Sequence, residues 1–296
     1  MTSGPTGPAD PWRSSLDPER VMNVQITHWQ ERTPRQREEL LTVEEPFEVR
    51  IDHRSLAVIM RTPGHDYELA MGFLFTEGMI AQASDVLHIE HDVDEDGLPL
   101  ANVVNVQLRS HAQQEALQSH PAAFERHFAV SASCGLCGKN SISDLLISTP
   151  PLPADDFRVP AAVLYDLPTH LRHEQTVFTH TGGLHAAGLF SATGDLHLLR
   201  EDIGRHNAVD KLIGHGLLHG ELENDGFPYT RHILLVSGRT SFEIIQKALL
   251  ARIPCIAAIS APSSLAVELA ERSGITLVGF LRERTMNVYT HAERIA

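Results

Sequence analysis

An α/β protein is predicted, built on a layered sheet in the second half of the chain with a smaller α+β region before it. Three observations carry that expectation. Short continuous apolar runs at 233–236, 255–259 and 276–281 alternate with helical stretches at 242–252 and from Pro262 onward, the pattern of buried strands joined by crossover helices. In the first half Phe47, Val49 and Ile51 alternate with polar residues, as a half-buried strand does. Between the halves runs Thr149-Pro150-Pro151-Leu152-Pro153, a proline-rich linker. The expected division is a disordered tail over 1–20, an N-terminal α+β region over 21–150 and an α/β domain over 151–296.

Residues 21–60 read as strands, ending in the apolar run 56–60. Thr62-Pro63-Gly64 breaks the chain, and Asp66 is placed to cap a helix to about Gly78 with Leu69, Phe73 and Leu74 on its apolar face. Strands are expected at 85–90 and 102–108 around Asp94-Glu95-Asp96-Gly97, then helices at 113–127, 139–147 and 161–172. A hairpin over 186–190 and 196–199 turns at Thr193-Gly194-Asp195. The helix that starts at Arg205 points Val209, Leu212 and Ile213 inward. Pro262 is read as opening the last helix, with Leu265, Leu269 and Ala270 apolar, before the final strands 276–281 and 286–289.

The formal charge of −14 argues against a general nucleic-acid or anionic-membrane binder. No secretory leader and no apolar stretch of membrane-spanning length are visible. Three cysteines form no even disulfide framework, so the cytoplasm is the expected compartment.

Cys134-Gly135-Leu136-Cys137 is the segment richest in chemistry. A thiolate is the reactive form of cysteine, and the expected helix start at Lys139 favours it. Half of a structural zinc site is the plain alternative, but no second Cys-x-x-Cys completes four ligands. A thioredoxin-like pair fits the context poorly. Cys255 lies in an apolar run and reads as core.

Two strand-to-helix junctions, Glu201-Asp202-Ile203-Gly204-Arg205-His206-Asn207 and Ser237-Gly238-Arg239-Thr240-Ser241, place cations at helix starts. Free backbone N–H groups there attract anions, and two such junctions favour an anionic ligand more than one does. Thr181-Gly182-Gly183-Leu184-His185 is a further glycine-bearing turn whose histidine reads as structural. His215 and His219, four apart on a helix, are a formal metal pair read as a helix-end feature. Phe280-Leu281-Arg282-Glu283-Arg284-Thr285 leaves a buried strand with two arginines, suited to clamp phosphates or a planar ring.

These segments together resemble the formate dehydrogenase accessory sulfurtransferase family, FdhD. The resemblance rests on Gly72-Phe73-Leu74-Phe75-Thr76-Glu77-Gly78, Cys134-Gly135-Leu136-Cys137-Gly138-Lys139, Thr181-Gly182-Gly183-Leu184-His185-Ala186-Ala187, residues 201–211, Ser237-Gly238-Arg239 and Ser260-Ala261-Pro262-Ser263. It implies a three-layer α/β/α core similar to cytidine deaminases. It also implies a cytoplasmic sulfurtransferase, a homodimer, needed for formate dehydrogenase activity. Sulfur from a cysteine desulfurase would ride on Cys134 as a persulfide, with Cys137 assisting. The acceptor would be the molybdenum bis(molybdopterin guanine dinucleotide) cofactor, held by Phe280, Leu281, Arg282, Glu283, Arg284 and Thr285, with Arg205 and Arg239 sharing its phosphates. No resident metal is implied. A deaminase itself is disfavoured: His185-Ala186-Ala187 has Ala where the catalytic Glu is needed, and Pro254-Cys255 lacks the second cysteine. The competing reading of a different class is a chaperone that holds the cofactor without moving sulfur.

Overall fold

The computed structural model describes residues 17–110, 128–130, 149–219 and 228–296. The cysteine pair and the helices expected at 113–127 and 139–147 lie outside the described residues. The described residues form three sheets. The first is an isolated antiparallel ribbon of β1 (Val21–Gln30) and β2 (Thr33–Thr42). The second contains β3 (Glu45–Ile51), β4 (Arg54–Arg61), β5 (Val86–Val93), β6 (Pro99–Leu108) and β7 (Phe128–Val130) in the order β5-β6-β3-β4-β7. Phe47, Val49 and Ile51 are buried on one face of β3, as their alternation requires.

The third sheet has the order β13-β12-β11-β10-β8-β9. It is built from β8 (His185–Ser191), β9 (Leu196–Asp202), β10 (His232–Val236), β11 (Cys255–Ala258), β12 (Thr276–Arg282) and β13 (Thr285–Thr290). β10, β11 and β12 are parallel, and the strands outside them are antiparallel. The sheet is therefore mixed, because hairpins close both of its ends. Helices pack on both faces. On one side α2 (Ala161–Glu174) sets Leu164, Leu167 and Leu171 against Phe190, Ile233, Leu235 and Leu281. On the other, α4 (Arg205–His219), α5 (Phe242–Leu250) and α6 (Ser264–Ser273) cover Leu234, Val236, Ile256 and Leu277. A short helix, α3 (Thr176–Thr181), precedes the turn into β8.

The N-terminal helix α1 (Asp66–Thr76) does not stay with its own sheet alone. It crosses α4 so closely that a Cβ at Gly72 would lie 1.9 Å from the Asp210 carbonyl oxygen, and one at Gly214 would lie 1.8 Å from that of Glu68. One apolar core therefore runs through both halves of the chain. Two buried polar networks cross the same seam. Lys211 pairs with Asp202 at 2.7 Å, both fully buried, and donates to the Thr62 carbonyl at 2.9 Å. Lys247 pairs with Asp210 at 2.7 Å and donates to Thr76 at 2.7 Å.

Two local expectations shift. Asp66 is the first helical residue rather than the cap; His65 precedes it with φ 59°, and the Asp66 carboxylate is taken by Arg61 at 2.9 Å. Pro262 stands before α6 and bridges to Thr240, while Ser263 caps the helix by accepting from the Ala266 amide at 3.2 Å. Ala266 and Ala270 consequently face the core, and Leu265 is exposed.

Candidate functional site

The parallel strands β10, β11 and β12 end at one edge of the sheet, β8 begins there and β9 ends there. That edge gathers His185, the turn into α4 at Arg205, the 237–241 loop, the 260–263 loop and the end of β12. Ligands collect at the carboxyl ends of strands because loops and helix starts converge there without covering one another. The pieces are tied together by short bonds. The Ala186 amide donates to Ser237 Oγ at 2.9 Å and the Ser237 amide donates to the Ala186 carbonyl at 3.0 Å. A Cβ at Gly238 would meet the His185 ring at 3.1 Å and Arg205 Cδ at 3.6 Å. A side chain there would push the imidazole back by a few tenths of an ångström.

Polar groups at this edge are left over. Arg205 Nε, His206 Nδ1 and Thr240 Oγ1 are each buried with no hydrogen-bond partner among the described residues. Buried polar atoms without partners are costly, and a few gathered at one sheet edge mark a place where something else supplies the partner. His206 uses its other nitrogen on Ser241 Oγ at 3.2 Å and lies 3.8 Å from Glu243. That imidazole draws the Glu243 carboxyl down to about 2. Burial, then the neighbouring Arg205, depress His185 below its ordinary value, which favours its neutral form. Arg205 and Arg239 add fixed positive charge to the free N–H groups that open α4 and α5. The edge is thus built to receive an anion. Beside it is a cavity of about 470 Å³, lined by Arg172, Phe178, Gly183, His185, Ser237 and Ile259. The Arg172 guanidinium lies over the Phe178 ring, 4.0 Å from its centroid.

Of the sequence-predicted residues, Arg205 and Arg239 stand on neighbouring junctions of this edge, the latter exposed. Phe280, Arg282, Glu283, Arg284 and Thr285 are exposed where β12 turns into β13. β12 lies two strands from β10 in the sheet, with β11 between them. Leu281 places its side chain in the core beneath α2. Phe280 and Glu283 hold left-handed φ values of 51° and 49°, a conformation that costs a bulky residue free energy and recurs at functional sites. The Phe280 amide is pinned to the Ser260 carbonyl at 3.1 Å. Cys134 and Cys137 lie outside the described residues. Cys255 is core, its thiol pushed up to about 12 by burial. His206 and Thr240 lie in the two junctions singled out in the sequence, though there the cations rather than these two side chains carry the reading; nothing in the sequence marks the Arg172–Phe178 pair, and His185 reads there as structural.

His215 and His219 come together with Glu68, their ligand atoms within 4.8 Å of one another. The carboxylate is already engaged. Arg200 donates to both of its oxygens at 2.5 and 2.7 Å, and His215 lies 2.9 Å away. Burial raises the Glu68 carboxyl, but the bonds from Arg200, His65 and His215 outweigh it and hold it well below the ordinary range. A cation would have to displace the guanidinium, so the trio is an ion-pair network. A larger cleft of about 1060 Å³ beside α1 includes Arg61, Asp66 and Asn102. Arg61 is satisfied there by Asp66 and by Asn102 at 2.7 Å.

The fold and site define a mixed-sheet α/β protein with a cation-lined, incompletely bonded strand-end crevice. The chain belongs to the FdhD/NarQ family, whose model matches residues 42–296. It is 49% identical over 262 residues to a sulfur carrier protein FdhD of Nocardia farcinica, covering 88% of this chain and 89% of that one. It is 41% identical over 279 residues to that of Sulfurisphaera tokodaii, covering 93% and 99%. A solved structure described as a formate dehydrogenase accessory protein, from Desulfotalea psychrophila, superposes with a TM-score of 0.70 at 25% identity, covering 93% of this chain and 99% of that one.

Proposed function

We propose that this protein is a sulfur carrier serving formate dehydrogenase, acting as a cytoplasmic homodimeric sulfurtransferase. The observation that carries it is the family match over residues 42–296 together with 49% and 41% identity, over most of the chain, to relatives named sulfur carrier proteins. The Cys134 thiolate attacks the outer sulfur of a cysteine desulfurase persulfide. A sulfur–sulfur bond forms to Cys134, the bond to the donor cysteine breaks, and that cysteine leaves as a thiolate with no net redox change. Cys137 assists. The acceptor is the molybdenum bis(molybdopterin guanine dinucleotide) cofactor, bound as cargo. Its fit rests on the unpartnered Arg205 Nε, His206 Nδ1 and Thr240 Oγ1, and on the glycine-lined approach at Gly238. Arg205, Arg239, Arg282 and Arg284 hold its phosphates, with the exposed Phe280, Glu283 and Thr285 along its flank; Leu281 is set aside, because its side chain is buried beneath α2. The helices on both sheet faces support the reading of a scaffold shared with cytidine deaminases. No helix among the described residues is long and apolar enough to cross a membrane.

Incubation with a cysteine desulfurase and cysteine, followed by intact-protein and peptide mass spectrometry, tests the proposal. One reducible added sulfur is expected on Cys134, absent from Cys134→Ala. No added sulfur would favour instead a chaperone that only holds the cofactor, for which the same crevice serves. Replacing Arg205, Arg239, Arg282 and Arg284 together by Gln is expected to weaken binding of the purified cofactor roughly ten-thousandfold or more, since each charged hydrogen bond contributes about 1.5–3 kcal/mol. Unchanged binding would remove these arginines from the site.

A further inference from the structure

The β1–β2 ribbon is paired without interruption from Val21↔Thr42 to Gln30↔Thr33, yet only its root is packed. Leu40 joins Val177 and Leu184 in a small apolar cluster, and Thr42 Oγ1 donates to Thr181 Oγ1 at 2.8 Å. Met22, opposite Leu41 on the other face of the ribbon, and Trp29, near its tip, are 54% and 63% exposed. A two-stranded ribbon alone is marginal in water; a third strand or a packed face is needed for independent stability. Among the described residues nothing pairs with either outer edge.

The two edges are unlike. β2 carries Pro34, Arg35, Arg37, Glu38 and Glu39, the residues that ordinarily block strand addition. β1, with the sequence VMNVQITHWQ, carries no Asp, Glu, Lys, Arg or Pro. It is rich in strand formers and stands unguarded in a protein of net charge −14. Gln30 and Thr33 flank the Glu31-Arg32 tip and form the hydrogen-bonded pair that closes the hairpin. By alternation, the amides of Asn23, Gln25 and Thr27 face away from β2. Pro34, opposite Trp29, falls at a position whose N–H would point outward, so it seals the β2 edge without weakening the ladder.

We infer that the free edge of β1 is the pairing surface for a second copy of this chain, β1 running antiparallel to its mate about a two-fold axis near Gln25. Three features select a second copy over a foreign strand. Self-pairing across a two-fold axis closes both unguarded edges at once and leaves only the guarded β2 edges outside. The absence of charge along β1 puts no like charges opposite one another. Met22, Val24 and Ile26 lie on one face of the strand, so Val24 of one copy meets Ile26 of the other and the apolar stripe becomes continuous. The inference rests on the homodimer of the proposed function and names its interface. It also joins the dimer to the crevice, because the ribbon root bonds α3 beside Gly183, which lines the 470 Å³ cavity.

Sedimentation velocity of the full chain tests this. Wild type is expected at twice the 32.7 kDa of one chain, and Gln25→Pro at the single-chain mass. Gln36→Pro, with its amide on the opposite edge, is expected to remain dimeric. Each variant gives up one exposed side-chain hydrogen bond, Gln25 to Glu38 or Gln36 to Thr27, so general damage to the ribbon would affect both alike. Hydrogen exchange of the wild type serves where a proline variant fails to fold: protection at Asn23, Gln25 and Thr27 is expected to rise with protein concentration. A wild-type monomer overturns the dimer and its interface together. A dimer that survives Gln25→Pro, or whose β1 amides exchange at a rate independent of concentration, overturns the interface alone.

Discussion

Gly214→Ala is expected to lower folding stability by about 3–5 kcal/mol, near the upper limit for one substitution. In an ordinary helix the same change stabilises by roughly 0.8–1 kcal/mol, because alanine loses less backbone freedom on folding. Here the sign reverses. The new methyl would sit 1.8 Å from the Glu68 carbonyl oxygen and the ideal Cβ is also 2.9 Å from the Gly72 amide nitrogen. Both obstacles are helix backbone, so no rotamer change relieves them. α1 and α4 must separate, and the apolar core they share opens with them. The dispersion attraction and close packing given up along that crossing outweigh the propensity gain several-fold. Gly72→Ala, whose Cβ would lie 1.9 Å from the Asp210 carbonyl oxygen, is expected to cost a similar amount. The double variant is expected to cost clearly less than the sum, because the first methyl has already parted the helices for the second. Thermal and denaturant unfolding measure this, with a midpoint drop on the order of 10 °C for each single variant. A neutral Gly214→Ala would falsify the close crossing.

The glycine pair also marks the limit of what sequence reading can reach. Alternation at Phe47, Val49 and Ile51 and the apolar run at 233–236 are legible because burial of a strand imprints a local period. Gly72 and Gly214 imprint nothing local; each reads as a weak spot in its helix until the other is placed beneath it. α3 has six residues and no side-chain cap, too short for a helical period to register. The Glu68–Arg200 pair joins residues 132 apart in sequence, and only the approach of β9 brings the guanidinium onto the carboxylate. The site divides the same way. Arg205 and Arg239 are legible because strand, glycine and helix start follow one another in sequence. His185 is not, because its importance depends on β8 pairing with β10, which sets its ring against Gly238. The unpartnered atoms of His206 and Thr240 are properties of the assembled edge, and no residue pattern predicts them.

Lys211→Met is expected to lose about 3–5 kcal/mol, the cost of breaking a buried pair from one side. Methionine fills nearly the same space, so packing contributes little to the loss. What remains is an uncompensated charge. Asp202 still accepts from the Gly204 amide at 2.8 Å, from Asn207 at 2.8 Å and from the Thr62 amide at 3.2 Å, but the cation 2.7 Å away is gone. The Thr62 carbonyl also loses the donor that held it at 2.9 Å. Burial is the main influence that pulls the Lys211 ammonium below its ordinary value against the attraction of Asp202, so desolvation already weighs heavily on this pair. Adding Asp202→Asn to Lys211→Met is therefore expected to restore a large part of the stability by removing the stranded charge. A cavity left by the lysine would not be repaired that way, so the double variant separates charge from packing. The consequence reaches the crevice. Asp202 fixes the Gly204 amide just before Arg205, and Asn207 donates to the Met60 carbonyl at 2.8 Å. The pair thus ties β4 of the N-terminal sheet to the first turn of α4, where the anion-receptive groups stand. A single variant that folds at low temperature is expected to bind the purified cofactor more weakly, and the double variant to recover binding with stability. Recovery of stability without recovery of binding would show that Asp202 orients Arg205 through its charge rather than by holding the turn in place.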